Sequence, residues 1–266
     1  MTSERITRLI DKTVRGEMYV HPIKTEFDRC DYFLSDTKRV AKRLAEQGVT
    51  VVITGRKSES LLEAQKAIGE RAIPLVWDVS NISLADEKIE EAARLMGGLD
   101  ILVNNAGIFA RRSEWNKISL LETTPDEWRA VMSTNTDGLF FAMQAAVKYM
   151  LENQVEGNIL NVTSVAGYEP VYGAYGASKA AAVALTRGWG KMFAPEKITI
   201  NGIAPGPVAT EMNHWHEGDP LAHRRIPYGR FAVCDEIAEL ALYMLDEKAK
   251  MLCGETIVLD GGYAIR

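Results

Sequence analysis

Three apolar runs with similar endings constrain this chain more than any other feature. Asp100-Ile-Leu-Val-Asn-Asn-Ala-Gly107, Gly157-Asn-Ile-Leu-Asn-Val-Thr-Ser164 and Ile198-Thr-Ile-Asn-Gly-Ile-Ala-Pro-Gly206 each pass from apolar residues into amides, hydroxyls or glycine. Such runs read as strands of a parallel sheet, buried on both faces because helices cover both. Amphipathic helical stretches separate them. Earlier in the chain, Lys38 to Gln47 reads as an amphipathic helix stopped by Gly48, followed by the strand Val49-Thr-Val-Val-Ile-Thr54. Ala72-Ile-Pro-Leu-Val-Trp77 supplies another strand. The alternation predicts an α/β fold, a doubly wound parallel sheet with helices on both faces. A chain of 266 residues with 47% hydrophobic content can bury one large core, so a single domain is expected. Open sheets of this kind place ligands beyond the carboxyl ends of their strands, where the polar endings fall.

The second informative feature is Ala174-Tyr-Gly-Ala-Ser-Lys179, with Ser164 eleven positions before Tyr175. Residues four apart share a helix face at about 5–6 Å between Cβ atoms, so an ammonium at Lys179 can favour a phenolate at Tyr175. A tyrosine so tuned can exchange a proton near neutral pH. With nine tyrosines in the chain, a Tyr-x-x-x-Lys spacing also arises by chance, and it gains weight only from its context. Ser164 supplies that context, because it closes a predicted strand and faces the crevice.

Asn-Asn-Ala-Gly at 104–107, Asn135 in Ser-Thr-Asn-Thr-Asp-Gly, Ser164, Tyr175 to Lys179, Asn201-Gly-Ile-Ala-Pro-Gly206 and Asp260-Gly-Gly262 occur in this order. In these motifs the chain, over roughly 38–266, resembles the short-chain dehydrogenase/reductase family. The resemblance implies a Rossmann-type sheet and hydride transfer between a nicotinamide cofactor and a secondary alcohol or ketone. It makes Tyr175 the acid/base, and Lys179 the residue that lowers its pKa and binds the nicotinamide ribose. Ser164 then orients the carbonyl and Asn135 holds a relay water. A helical Asn bonded to its own backbone is the plainer alternative for Asn135. Cofactor contacts are implied at Arg56, Asp78, Val79, Asn104, Ala106, Gly107, Tyr175, Lys179, Pro205, Gly206, Val208 and Thr210. Gly55-Arg56-Lys57 stands where an NAD-preferring fold carries a carboxylate for the ribose. A guanidinium there favours NADP(H) over NAD(H), since it binds a 2′-phosphate in a fork; the alternative is a solvated cation pair. Asp78 reads equally as a cap shared with Ser80.

The chain departs from the family at its start. A strand running into Thr-Gly-x-x-x-Gly-x-Gly is expected, and those positions fall on Cys30 to Thr37, with Asp31, Ser35 and Thr37 in place of the glycines. Glycines there let backbone amides approach a pyrophosphate, whereas carboxylates at Asp28, Asp31 and Asp36 oppose one. Residues 1–37 are therefore read as an atypical segment that replaces the usual first strand and turn by insertion or a shifted reading frame, and 38–266 as the rest of one domain. Candidates for the first strand are Glu17-Met-Tyr-Val-His21, stopped by Pro22, and Cys30-Asp-Tyr-Phe-Leu34, with Ser35 or Asp36 then capping the helix.

Three readings stand open: an active enzyme, a family member with impaired cofactor binding, and a non-catalytic ligand-binding protein. Three scattered cysteines, Cys30, Cys234 and Cys253, show no metal spacing and suit a reducing cytoplasm. No metal site is expected at His214 and His216, which flank Trp215. A net charge of −5 argues against nucleic acid, and no apolar stretch long enough to span a membrane is present. The expected partner is a small hydroxy or keto compound such as a polyol or sugar acid. The C-terminal half resembles the family's 3-oxoacyl-carrier-protein reductases, which dock an acidic carrier through basic residues on helices near the site; Lys191 keeps one such charge, but Val155 between Glu152 and Glu156 stands where the resemblance puts the other, which disfavours an acidic carrier. By resemblance, the helices over Asp126 to Leu151 and Tyr175 to Phe193 pair copies of the chain into a homo-oligomer, a tetramer or dimer.

Overall fold

The structure, a computed structural model, describes residues 17–21, 34–109, 120–169 and 173–264. Seven strands form one parallel sheet: β1 (Glu17–His21), β2 (Thr50–Gly55), β3 (Ala72–Val76), β4 (Ile101–Asn104), β5 (Asn158–Val162), β6 (Thr199–Pro205) and β7 (Thr256–Leu259). Their order across the sheet is β3-β2-β1-β4-β5-β6-β7. The reversal between β1 and β4 is the switch point at which such sheets open a crevice. Of the two candidate first strands, Glu17–His21 takes the central slot, with Val20 opposite Ile53 on one side and Val103 on the other. Residues 22–33, which include Cys30 to Phe33 of the expected turn, lie outside the described residues, whereas Ser35 and Thr37 fall in the helix Leu34–Glu46.

The strand side chains alternate between two cores. Val52, Leu102, Ile159 and Ile200 point to one face, where Ile89, Ala92, Met143, Met150 and Ala182 cover them. Val51, Ile53, Val103, Leu160 and Ile203 point to the other, beneath Val40, Leu44, Leu61, Ala238 and Met244. The covering helices are α1 (Leu34–Glu46), α2 (Ser58–Ile68), α3 (Ala85–Met96), α4 (Pro125–Met132), α5 (Gly138–Glu152), α6 (Ala174–Phe193) and α7 (Cys234–Leu245). Both faces of β2, β4, β5 and β6 are thus covered, which is why these runs read as continuously apolar.

Two helices differ from the sequence reading. Helix α1 begins at Leu34 rather than Lys38, so Ser35 and Asp36 lie within its first turn instead of capping it. Acidic and hydroxyl residues are tolerated there because the first amides of a helix are unpaired and its dipole favours negative charge. Arg39 and Arg43 then tie α1 to α7 through Asp235 at 3.3 Å and Glu239 at 2.7 Å. The predicted long helix over 126–151 is broken into α4 and α5 by a π-helical segment, Ser133–Asp137. Its start is set by Thr124, whose hydroxyl accepts from Glu127 N at 3.2 Å while the Glu127 carboxylate accepts from Thr124 N at 2.8 Å.

Helix α6 lies directly on the sheet at Gly190. A Cβ there would collide with the backbone of Gly254 and approach Ile200 O to 2.7 Å. Backbone cannot swing aside as a side chain can, so overpacking moves the helix. Gly190→Ala is expected to cost about 2–3 kcal/mol. A lowered urea midpoint with an unchanged slope would show it; an unaltered midpoint would mean that α6 stands off the sheet.

Candidate active site

The strand ends set out the site in order along one edge of the sheet. Arg56 follows β2, Asp78 and Val79 follow β3, and Asn104 to Gly107 end β4. Ser164 lies two residues past β5, and Gly206, Val208 and Thr210 follow β6. Tyr175 and Lys179 stand on the first turns of α6, and Asn135 on the π-helical segment.

Asn135 joins the parts. It is buried, its Oδ1 accepts from Ile108 N at 2.6 Å, and its Nδ2 donates to Ile108 O at 2.9 Å and Ser178 Oγ at 3.0 Å. The side chain is therefore not bonded to its own helix backbone. It reaches across to hold both peptide groups of the residue after Gly107. Ser178 Oγ donates in turn to Tyr175 O at 2.7 Å, so the β4 loop, the π segment and α6 are bonded together. A π bulge re-aims one side chain within a helix, and here that side chain is Asn135.

Lys179 is buried, and its Nζ donates to Val162 O at 3.0 Å and lies 5.7 Å from the centre of the Tyr175 ring. Burial pulls its pKa down to about 8. Gly107 faces the same ammonium: a Cβ at Gly107 would stand 3.4 Å from Lys179 Nζ and 3.5 Å from Asn135 Oδ1. Tyr175 is half-buried and meets the edge of Phe109 with ring centroids 5.1 Å apart. Ser164 Oγ accepts from Ala166 N at 3.2 Å, which fixes the turn after β5. The hydroxyl, phenol and ammonium thus come from β5 and α6, the order in which a proton can be given to a substrate oxygen and its charge compensated.

At the far end of the same edge, Arg56 Nη1 faces Asp78 Oδ2 at 3.4 Å, and Asp78 Oδ1 accepts from Ser80 N at 3.0 Å and Ser80 Oγ at 2.7 Å. Asp78 therefore has the local cap-like bond and a charge partner together. The Nε and Nη2 atoms of Arg56 are buried without a hydrogen-bond partner. Lys57 beside it is exposed.

Some contributors escaped the sequence reading. Ser178, adjacent to Lys179, and Asn161, set within the apolar Ile-Leu-Asn-Val stretch, are both buried. Asn161 Oδ1 accepts from Asn104 Nδ2 at 2.9 Å and its Nδ2 donates to Thr186 Oγ1 at 2.9 Å, locking β4, β5 and α6 beneath the site. A lone amide inside an otherwise apolar strand was the available signal, because such a group is buried only with partners.

The sheet order and the switch point define a Rossmann-type protein, with Tyr175 and Lys179 side by side at the edge where such sheets open. A family model described as enoyl-(acyl carrier protein) reductase matches residues 37–264. The chain is 32% identical to a 3-oxoacyl-[acyl-carrier-protein] reductase of Thermotoga maritima, covering 83% of this chain and 90% of that one. It is 33% identical to gluconate 5-dehydrogenase of Gluconobacter oxydans, covering 85% and 89% respectively. A solved 3-ketoacyl-(acyl-carrier-protein) reductase of Brucella melitensis, complexed with NADH, superposes with a TM-score of 0.80 at 27% identity over 94% of this chain and 98% of that one. The chain belongs to the short-chain dehydrogenase/reductase family, a family of oxidoreductases. No helix among the described residues is long and apolar enough to cross a membrane.

The buried ammonium has a measurable cost. Between about pH 8 and the ordinary lysine value of 10.5, the folded state holds fewer protons than the unfolded chain. Stability therefore rises with pH across that window, and the penalty is complete below pH 8. Lys179→Met should stabilise the protein at pH 7 by up to about 3 kcal/mol, with the gain closing towards pH 10.5. Thermal unfolding of both proteins at several pH values checks this; a gain independent of pH would assign the effect to packing instead.

Proposed function

We propose that this chain is an NAD(P)-dependent oxidoreductase that interconverts a secondary alcohol and a ketone by hydride transfer, with NADP(H) preferred to NAD(H). The observation that carries the reading is the bonded unit of Asn135, Ser178, Tyr175 and Lys179 closing over Gly107. The residues present fit the cofactor at two points. Gly107 puts no side chain beside the buried Lys179 ammonium, where a Cβ would come to within 3.4 Å of Nζ, and Arg56 has two unpaired donors, buried as the side chain stands, for a 2′-phosphate that turns the guanidinium outward.

When bound, the nicotinamide supplies the hydride chemistry. Reduction places negative charge on the former carbonyl oxygen. The Tyr175 hydroxyl gives that oxygen its proton, and the Ser164 hydroxyl orients it by a hydrogen bond. Lys179 favours the phenolate left behind, and Asn135 keeps the Gly107–Ile108 peptide in place while holding a relay water. Asp78 and Val79 flank the adenine, Asn104 and Ala106 line the crevice, and Pro205, Gly206, Val208 and Thr210 form the loop over the carboxamide. In alcohol oxidation the Tyr175 phenolate takes the proton.

The substrate is a small hydroxy or keto compound, a polyol or sugar acid. Glu156 is ion-paired with Lys197 at 2.6 Å and Lys250 at 3.6 Å, and Val155 packs against the core, so the face that would dock an acidic carrier lacks a free cation at that point. Two copies or four assemble in the cytoplasm through α5 and α6, where Phe140 meets Trp189 edge to face, Trp189 is tilted against Phe193, and Met192 is exposed. A second reading, an impaired cofactor site, is favoured by one observation: no glycine occurs between Gly16 and Gly48. Without one, close amide approach to a pyrophosphate is lost.

Direct titration of the purified protein with NADPH and NADH, followed by fluorescence of its five tryptophans, separates the two readings. Micromolar NADPH binding with weaker NADH, and loss of turnover by a factor of about 100 or more in Tyr175→Phe with binding retained, is the expected result. No saturable binding of either below about 1 mM would sink the enzyme reading.

A further inference from the structure

We infer that Asp78 sets the margin of cofactor preference through Arg56, holding down the affinity of the site for a 2′-phosphate. The inference rests on the reading of Arg56 as the 2′-phosphate donor and adds to it a residue that opposes the preference. The Arg56 guanidinium is a fork with three nitrogens. Nη1 faces Asp78 Oδ2 at 3.4 Å, a single long contact rather than a paired one, while Nε and Nη2 are buried and unbonded. The donors left over therefore lie on the side of the guanidinium away from Asp78.

What makes the carboxylate a constant opposing charge is Ser80. Its amide and hydroxyl both bond Asp78 Oδ1, at 3.0 and 2.7 Å, so Asp78 is held without help from Arg56. Nε and Nη2 are closed to solvent, so an anion reaches them only when the guanidinium turns outward, and it still meets Asp78, which Ser80 keeps in place. It meets a cation already half offset, with a fixed negative charge on the other side. The pair is only partly exposed, at 21% for Arg56 and 37% for Asp78, so solvent does not fully screen it. A phosphate dianion feels this charge twice over, whereas a ribose hydroxyl is neutral and feels it little. The wild-type preference for NADP(H) is therefore narrow.

The test uses Asp78→Asn, which keeps the shape and an oxygen for Ser80 but removes the charge. Adenosine 2′,5′-bisphosphate and 5′-AMP are titrated by calorimetry into wild type, Asp78→Asn, Arg56→Gln and the double variant, with NADPH and NADH alongside. Asp78→Asn should raise the affinity for the bisphosphate relative to 5′-AMP, and for NADPH relative to NADH, by about tenfold whatever it does to the adenine contact common to all four, and part of that gain should be lost at 0.5 M salt. In the Arg56→Gln background the gain should shrink to about twofold, since the residues then no longer act as a unit. Equal shifts for all four ligands would reduce Asp78 to an adenine contact and overturn the inference. Weaker bisphosphate binding in Asp78→Asn would also overturn it, by making Asp78 a support for the guanidinium. Because the bisphosphate and 5′-AMP carry the same 5′-phosphate and lack the nicotinamide, any loss at the pyrophosphate turn cancels in their ratio, and that ratio stands even if both dinucleotides fail to bind; that failure would count against the enzyme reading alone.

Discussion

The amide of Asn135 is the contact on which the candidate site depends. It accepts from Ile108 N and donates to Ile108 O and Ser178 Oγ, so one side chain fixes the loop after β4 and the first turns of α6 together. Neither segment could be placed by its own backbone, because a loop that has left its strand has lost its ladder bonds. Reaching Ile108 requires Asn135 to leave helical phase, and the π segment Ser133–Asp137 is the result. The irregularity thus accompanies the pairing of the two part-buried peptide groups of Ile108, and it sets Asn135 beside Gly107 and, through Ser178, beside the turn that carries Tyr175.

The energetics of this arrangement run against stability. Lys179 keeps its ammonium buried with a single backbone acceptor, Val162 O. Arg56 keeps two donors without partners, and Asn104 Oδ1 is buried with none. Each such group costs about 1–3 kcal/mol if left dry. A core built for stability alone would replace them. Buried polar atoms of this kind also occur away from the edge, at Arg43, Asn158 and His223, so what marks the site is their coincidence with the strand ends and the Asn135 contacts.

Sequence alone revealed whatever is encoded along one dimension. An apolar run with a polar end announces both a strand and the edge at which it stops, so the placement of Asn104, Ser164 and Gly206 was legible. Tyr175 and Lys179 were legible because a four-residue spacing on a helix is already a spatial relation. The features missed depend on partners remote in sequence. Pro125 to Glu152 looks like one helix until Ile108, 27 positions before Asn135, bends it. Ser178 passed as a filler between a motif's ends, and the pairing of Arg56 with Asp78, 22 positions apart, has no trace in local composition. The start of α1 was misjudged by four residues since Ser35 and Asp36 suit a cap and a first turn about equally well.

The central slot of the sheet separates the demands of fold from those of cofactor. Between β2 and β4 a strand must supply two rows of backbone donors and acceptors, and β1 does so from Glu17 to His21 in parallel register on both sides. That requirement is one of backbone direction and length, which many sequences satisfy. Phosphate binding beyond the strand is more exacting, because a Cβ at the wrong position keeps amide and phosphate apart. The sheet and the Asn135 contacts therefore tolerate many sequences after β1, whereas phosphate binding tolerates few, so the part of the chain that holds the fold together is separate from the part on which cofactor binding would depend.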